Sequence, residues 1–172
     1  MMLPLANVLA QSPRPPVSLE YAVKATYLYK LAPFVDWPPG TFTSADAPFD
    51  ICLLGRNPFG GFLEKAVAGR KLGTHPFRIR KLVDATPGAG CQIVFIGGMR
   101  TDKVREALQA FTGEPVLTVA DSNTTSATGS VVKFVIRRGH VRFEVDNAAA
   151  VRNHLAISSK LLDLAAAVKD SD

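Results

Sequence analysis

The sequence GRNPFGG has the setting of a phosphate-binding loop, because it follows an apolar run and precedes an amphipathic one. Gly55 and Gly60 have the glycine spacing of the Walker motif, but Gly61 and Phe62 stand where lysine and serine or threonine belong. A turn that needs glycine for backbone reasons is therefore the favoured interpretation. Backbone N–H groups at the start of the following helix still suit a small anion, so Asn57 and Gly60 are candidate ligand-binding residues.

A second polar stretch, which includes Asp121, Ser122 and Asn123, follows a short apolar run that we interpret as a strand. Open α/β folds bind ligands at the carboxyl ends of their parallel strands. Asp121 and Ser122 are therefore further candidate ligand-binding residues. A solvated surface loop would have the same composition.

The remaining polar residues form no catalytic or metal-binding pattern. His75, His140 and His154 are far apart and have no cysteine or carboxylate at metal-ligand spacing. The nucleophile motif Gly-x-Ser-x-Gly does not occur, and no pair of carboxylates is spaced for acid–base work. We therefore expect a protein that is not an enzyme, with no catalytic residues, no metal and no cofactor.

The elements that position these residues alternate between short apolar strands and amphipathic helices. Strands are predicted at residues 49–54, 75–82, 91–96 and 115–120, and helices at residues 59–67 and 101–111. This alternation is typical of βαβ units with a mostly parallel sheet.

The end of the chain has a different pattern. Residues 130–136 and 140–145 are predicted to form an antiparallel hairpin. A final helix is predicted over residues 148–168, because apolar residues recur there at helical spacing: Ile157, Leu161, Leu164 and Val168. The predicted fold is an α/β three-layer sandwich with a mostly parallel central sheet, an antiparallel C-terminal hairpin and helices on both faces.

The first predicted helix, residues 18–32, is apolar almost all the way round, which is typical of a helix buried against more than one neighbour. Glu20 and Lys24 make a favourable i,i+4 ion pair on it. Phe34 and Trp37 follow it and have two interpretations. Either they seal the core of the domain, or they end at a surface groove that binds a partner.

Length and composition fit one folded domain, which we place at residues 18–169. The net charge of +5 is mild and the lysines and arginines are scattered, so no nucleic-acid partner is expected. Residues 1–17 combine the apolar MMLPLANVLA with a proline-rich stretch. We interpret them as the remnant of an export signal followed by a linker. A frayed N-terminus is the alternative.

Two cysteines, Cys52 and Cys91, each lie in an apolar run that is predicted to be a strand. If these strands are neighbours, the sulfur atoms are close enough to bond. If the protein is cytosolic, a pair of buried free thiols is expected instead.

The chain contains, in this order, the segments YAVKATYLYKLAPFVDWP, ICLLGRNPFGGFLEKAV, CQIVFIGG, PVLTVADS and GHVRFEVDNAAAVRNHLAISSKLLDLA. Together they resemble the YfiR family. Members of this family are periplasmic proteins that restrain an inner-membrane diguanylate cyclase and so control cyclic-di-GMP signalling and biofilm formation. The resemblance covers nearly the whole chain, from about residue 20 to residue 167.

The resemblance implies an α/β sandwich, a periplasmic location, a homodimer and a disulfide between Cys52 and Cys91. The implied partners are the periplasmic region of an inner-membrane diguanylate cyclase and an outer-membrane lipoprotein. Family members can carry a second cysteine pair, which this chain lacks. The alternative function is that of a periplasmic small-molecule-binding sensor module for another membrane signalling protein.

Overall fold

The computed structural model describes residues 19–124 and 129–170. The predicted signal remnant and linker at residues 1–17 lie outside the described residues. Within the described ranges, no helix has the length and apolar character that crossing a membrane requires.

The described elements alternate as the sequence predicts through the first two thirds of the chain. The helices are α1 (Leu19–Leu31), α2 (Phe62–Val67), α3 (Thr101–Phe111), α4 (Asn147–Arg152) and α5 (Ser159–Leu164), with a 3₁₀ turn at Ala32–Phe34. The strands are β1 (Val35–Asp36), β2 (Phe49–Gly55), β3 (Lys71–Leu72), β4 (His75–Leu82), β5 (Ile93–Gly97), β6 (Leu117–Ala120), β7 (Val132–Arg137), β8 (His140–Asp146), β9 (Ala156–Ile157) and β10 (Ala167–Lys169).

In the described part of the chain, eight strands form one sheet in the order β10-β8-β7-β6-β5-β2-β4-β3, and β1 pairs with β9 in a small antiparallel sheet. The centre of the large sheet is parallel: β2 lies between β4 and β5, and β6 and β7 continue outward from β5. The β7–β8 pair is the predicted antiparallel hairpin. The mostly parallel α/β sandwich is confirmed.

Two apolar clusters lie on opposite faces of the sheet. The larger cluster packs α1, α2 and α4 against inward-facing residues such as Ile51, Phe95 and Phe134. The smaller cluster packs α3 against alternate residues of the same strands, including Leu54 and Val94. Because adjacent strand residues point to opposite faces, the continuous apolar runs of β2 and β5 supply both clusters.

The predicted helix over residues 148–168 is wrong. The chain leaves the helix after α4, and His154 adopts a left-handed conformation with φ 58°. Residues 156–157 then form β9, and Ser158 caps α5, where its side chain accepts a hydrogen bond from the backbone N–H of Leu161. Leu164 and Val168 are exposed, so the helical spacing of the apolar residues does not mark a face that packs on the sheet. β9 pairs with β1 and β10 pairs with β8, so two short strands replace part of the predicted helix.

Cys52 and Cys91 form a disulfide. Cys52 lies in β2 and Cys91 lies two residues before β5, which is paired with β2. The Cα atoms are 5.9 Å apart, and both residues are buried in the smaller cluster. The bond therefore ties the entry of β5 to the central strand of the sheet.

Candidate functional site: a buried charge cluster and an aromatic groove

Lys24 is completely buried, although its sequence neighbourhood predicts only a helix ion pair. Its Nζ lies 2.6 Å from Asp121 Oδ1, 2.5 Å from Glu20 Oε1 and 2.8 Å from Ser122 Oγ. A lysine ammonium has three protons to donate, so these three acceptors satisfy it. The Glu20–Lys24 pair is confirmed, and Lys24 also reaches the carboxyl end of β6.

Tyr21 completes this cluster from the same helix. Its hydroxyl donates to Asp121 Oδ2 at 2.8 Å, and its ring lies under the Lys24 ammonium with 4.5 Å between Nζ and the ring centroid. Burial, and then the hydrogen bond to the Asp121 carboxylate, raise the pKa of the Tyr21 hydroxyl well above its ordinary value. The hydroxyl therefore remains a hydrogen-bond donor at physiological pH.

This charge cluster, which we define as Glu20, Tyr21, Lys24, Asp121 and Ser122, fastens α1 to the carboxyl end of β6. Both carboxylate oxygens of Asp121 accept hydrogen bonds from α1, and Oδ1 also accepts one from the Ser122 backbone N–H. The residue lies at the edge of the sheet where a ligand was predicted. The carboxylate oxygens of Asp121 accept their hydrogen bonds from groups of the protein itself.

Asn57 and Gly60 lie in the loop after β2. Asn57 Oδ1 accepts a hydrogen bond from the backbone N–H of Phe59, and Gly60 has φ 57°, a conformation that glycine adopts without strain. The order of strands reverses between β2 and β5, where open sheets usually hold ligands.

The loops after β2 and β5 contact each other at the point where the order of strands reverses. The backbone N–H of Arg56 donates to the carbonyl of Gly97 at 3.0 Å. A Cβ added to Gly98 would lie 2.5 Å from Cβ of Arg56, so the two loops approach too closely for a side chain there. The ligand-binding role of Asn57, Gly60, Asp121 and Ser122 stays a prediction.

Phe34 lines a groove of about 460 Å³ between the end of α1 and the outer edge of the sheet. We call this surface the aromatic groove; its residues are Tyr29, Lys30, Pro33, Phe34, Arg70, Lys71, Leu72 and Phe77. The rings of Tyr29 and Phe77 meet edge-on, with centroids 6.0 Å apart. The Arg70 guanidinium lies 4.9 Å from the Tyr29 ring centroid, which is a cation–π distance. The groove therefore combines an aromatic floor with a basic rim.

Trp37 lies close in sequence but has a different environment. Its ring meets the buried ring of Phe49 edge-on, with centroids 5.1 Å apart. The indole N–H is buried and has no hydrogen-bond partner in the described structure. These contacts favour a core-sealing role for Trp37, whereas Phe34 lies in a groove. Both side chains are partly buried against the larger apolar cluster, and Phe34 also lines the aromatic groove.

Sequence reasoning missed Lys24 and the floor of the aromatic groove. A lysine on an otherwise apolar helix face was an available signal, because a buried charge requires a partner. Tyr29 and Phe77 gave no such signal, since aromatic residues on core elements are ordinary. Among the residues that the structure describes, no group of three or more histidine, cysteine or acidic side chains is placed to hold a metal ion.

A family of known proteins matches most of this chain. The search of the curated proteins finds no match. Among protein families, the one described as YfiR/HmsC-like matches residues 21–166. That match extends from the first turn of α1 to the residue before β10, so it includes the aromatic groove, the disulfide and every residue of the charge cluster except Glu20. The chain therefore belongs to the YfiR/HmsC-like family.

Proposed function

We propose that this protein is a non-catalytic periplasmic regulator that binds the periplasmic region of an inner-membrane diguanylate cyclase and represses it. The observation that carries the proposal is the family match over residues 21–166. The Cys52–Cys91 disulfide supports a periplasmic location, because such bonds persist in oxidising compartments. Repression would control cyclic-di-GMP signalling and, through it, biofilm formation.

The aromatic groove is the docking surface that we propose for the cyclase. Aromatic residues supply a large share of binding energy at protein interfaces when they are buried on association. Phe34 is only partly buried in the isolated chain, so a partner would remove more of its surface from water. Lys30, Arg70 and Lys71 on the rim would attract an acidic partner surface and orient it.

Repression requires a difference in affinity between two states of the cyclase. A ligand shifts a conformational equilibrium only by its differential affinity for the two states. We propose that the protein binds the inactive cyclase more tightly than the active one. Release by an outer-membrane lipoprotein, and a homodimeric form of the regulator, remain predictions from the family resemblance.

Phe34→Ala tests the docking surface. We expect this variant to stay folded and to capture the cyclase's periplasmic region at least about tenfold more weakly, which corresponds to about 1.4 kcal/mol of binding free energy. The matched control is Val151→Ala, which shortens an exposed apolar side chain on α4 outside the groove. Capture is measured with immobilised, oxidised protein, and folding with circular dichroism.

Trp37→Ala separates sealing of the core from binding. We expect it to lower the free energy of unfolding by about 3 kcal/mol, because a large ring is removed from its contact with Phe49. Any cyclase binding by the folded fraction of Trp37→Ala should match that of the wild type.

Equal capture of the cyclase by Phe34→Ala and by wild type would exclude the aromatic groove as the docking surface. Recovery of no cyclase from cell envelopes by wild-type protein would contradict the proposed function itself.

A further inference from the structure

A second groove lies between the start of α1 and the tip of the β7–β8 hairpin, and it encloses about 810 Å³. Strand alternation places Ile136 and Val141 on the same face of the hairpin as Phe134 and Phe143, whose rings pack on Tyr27. The hairpin extends beyond this contact. Ile136 is consequently 40% exposed, and across the groove Leu19 is 80% exposed.

We call this surface the hairpin groove; its lining residues are Leu19, Glu20, Val23, Tyr27, Ile136, Arg137, Arg138, Gly139, His140, Val141 and Arg142. Three arginines and one glutamate give it a net charge of +2 when His140 is neutral. Arg137 is paired with Glu144 at 2.7 Å, whereas Arg138 lies exposed at the hairpin tip. The three arginines lie near the tip of the hairpin, where Glu144 offsets Arg137, and Glu20 lies across the groove on α1. An incoming partner would therefore experience a basic field on the hairpin side of an apolar floor.

We propose that the hairpin groove binds an acidic amphipathic helix of a partner protein. A concave apolar trough beside a 13-residue helix about 20 Å long suits a helix of three to four turns laid alongside it. Glutamate or aspartate on the polar face of that helix would complement the arginines. The inference rests on the proposed function only for the identity of the partner, which would be the cyclase.

Charge argues against two other occupants of the hairpin groove, and shape argues against a third. A second copy in a twofold dimer would bring the same basic patch against itself. Residues 1–18 of the chain include Arg14 and no acidic residue, so they carry the wrong sign. A membrane surface is broad and flat, whereas the apolar residues here line a trough.

The test uses two synthetic 15-residue helical peptides with the same leucine stripe, one with glutamate and the other with lysine on its polar face. Binding to the oxidised full chain is measured by fluorescence anisotropy. We expect the acidic peptide to bind at least tenfold more tightly than the basic one. Ile136→Asp and Arg138→Glu should each weaken its binding at least fivefold, while Val151→Asp on α4 should leave it unchanged. Arg138→Glu keeps the test decisive if Ile136→Asp unfolds.

Equal binding of the two peptides, no binding of either, or an equal loss in Val151→Asp would overturn the proposal. Three other results would also overturn the proposal, because each identifies a different occupant of the groove. These are a wild-type dimer that Ile136→Asp converts to monomer, tighter peptide binding after removal of residues 1–18, and Ile136-dependent binding to phosphatidylglycerol vesicles. If wild-type protein captures the cyclase and both groove variants capture it equally, the inference fails while the proposed function stands. If the peptide preference holds but no cyclase is captured, the groove stands and the proposed function fails.

Discussion

Lys24→Met should lower the free energy of unfolding by about 3 kcal/mol, because it removes the ammonium and leaves the buried Asp121 carboxylate without its cationic partner. Breaking a buried pair in this way usually costs about 3 to 5 kcal/mol. We expect the lower end of that range, since Asp121 would keep its hydrogen bonds from Tyr21 and from the Ser122 backbone. Urea denaturation followed by circular dichroism measures the change.

Lys30→Met is the matched control, because Lys30 lies exposed near the end of the same helix. Its effect should stay within about 0.5 kcal/mol. The double variant Lys24→Met with Asp121→Asn should lose at least about 1 kcal/mol less than the sum of the two single variants, because the unpaired charge is gone. Equal losses for Lys24→Met and Lys30→Met would show that the charge cluster contributes nothing.

The second large effect concerns the disulfide. Replacing both Cys52 and Cys91 with alanine should lower the free energy of unfolding by about 4 kcal/mol, because the sequence separation of 39 residues closes a long loop in the unfolded chain. The thermal midpoint should fall by about 10 °C for a chain of this length. Calorimetry of the oxidised wild type and of the double variant measures both quantities.

Reductant provides the control for that change. Dithiothreitol should move the wild-type midpoint toward that of the double variant and should leave the double variant unaffected. An unchanged wild-type midpoint under conditions that reduce the bond, verified by thiol titration, would contradict the stabilising role. The bond ties β5 to β2, so we expect its loss to loosen the sheet centre.

The central part of the fold could be predicted because its signals are local. Continuous apolar runs mark β2, β5 and β6, and a clear apolar stripe marks α3, so the alternation follows from nearby residues. The end of the chain could not be predicted in this way. β9 and β10 exist because they pair with β1 and β8, and that pairing interrupts a run whose spacing is helical.

The residues of the candidate site divide in the same way, into those that a local sequence signal predicts and those that depend on distant contacts. The position of Asp121 directly after β6 follows from the order of the elements along the sequence. Its partner Lys24 is 97 residues away in sequence, and the local sequence indicates only the pairing of Lys24 with Glu20. Phe34 and Trp37 are close in the chain, yet only contacts with distant residues distinguish them: Phe34 lines the aromatic groove, whereas Trp37 packs edge-on against Phe49.

The most direct test of the central claim is the cellular concentration of cyclic-di-GMP in cells that lack this protein. The proposed function predicts a rise after deletion, reversal by the wild-type chain, and incomplete reversal by Phe34→Ala expressed at the same level. An unchanged concentration in the deletion strain, with the membrane cyclase present and functional, would contradict repression of a cyclase by this protein.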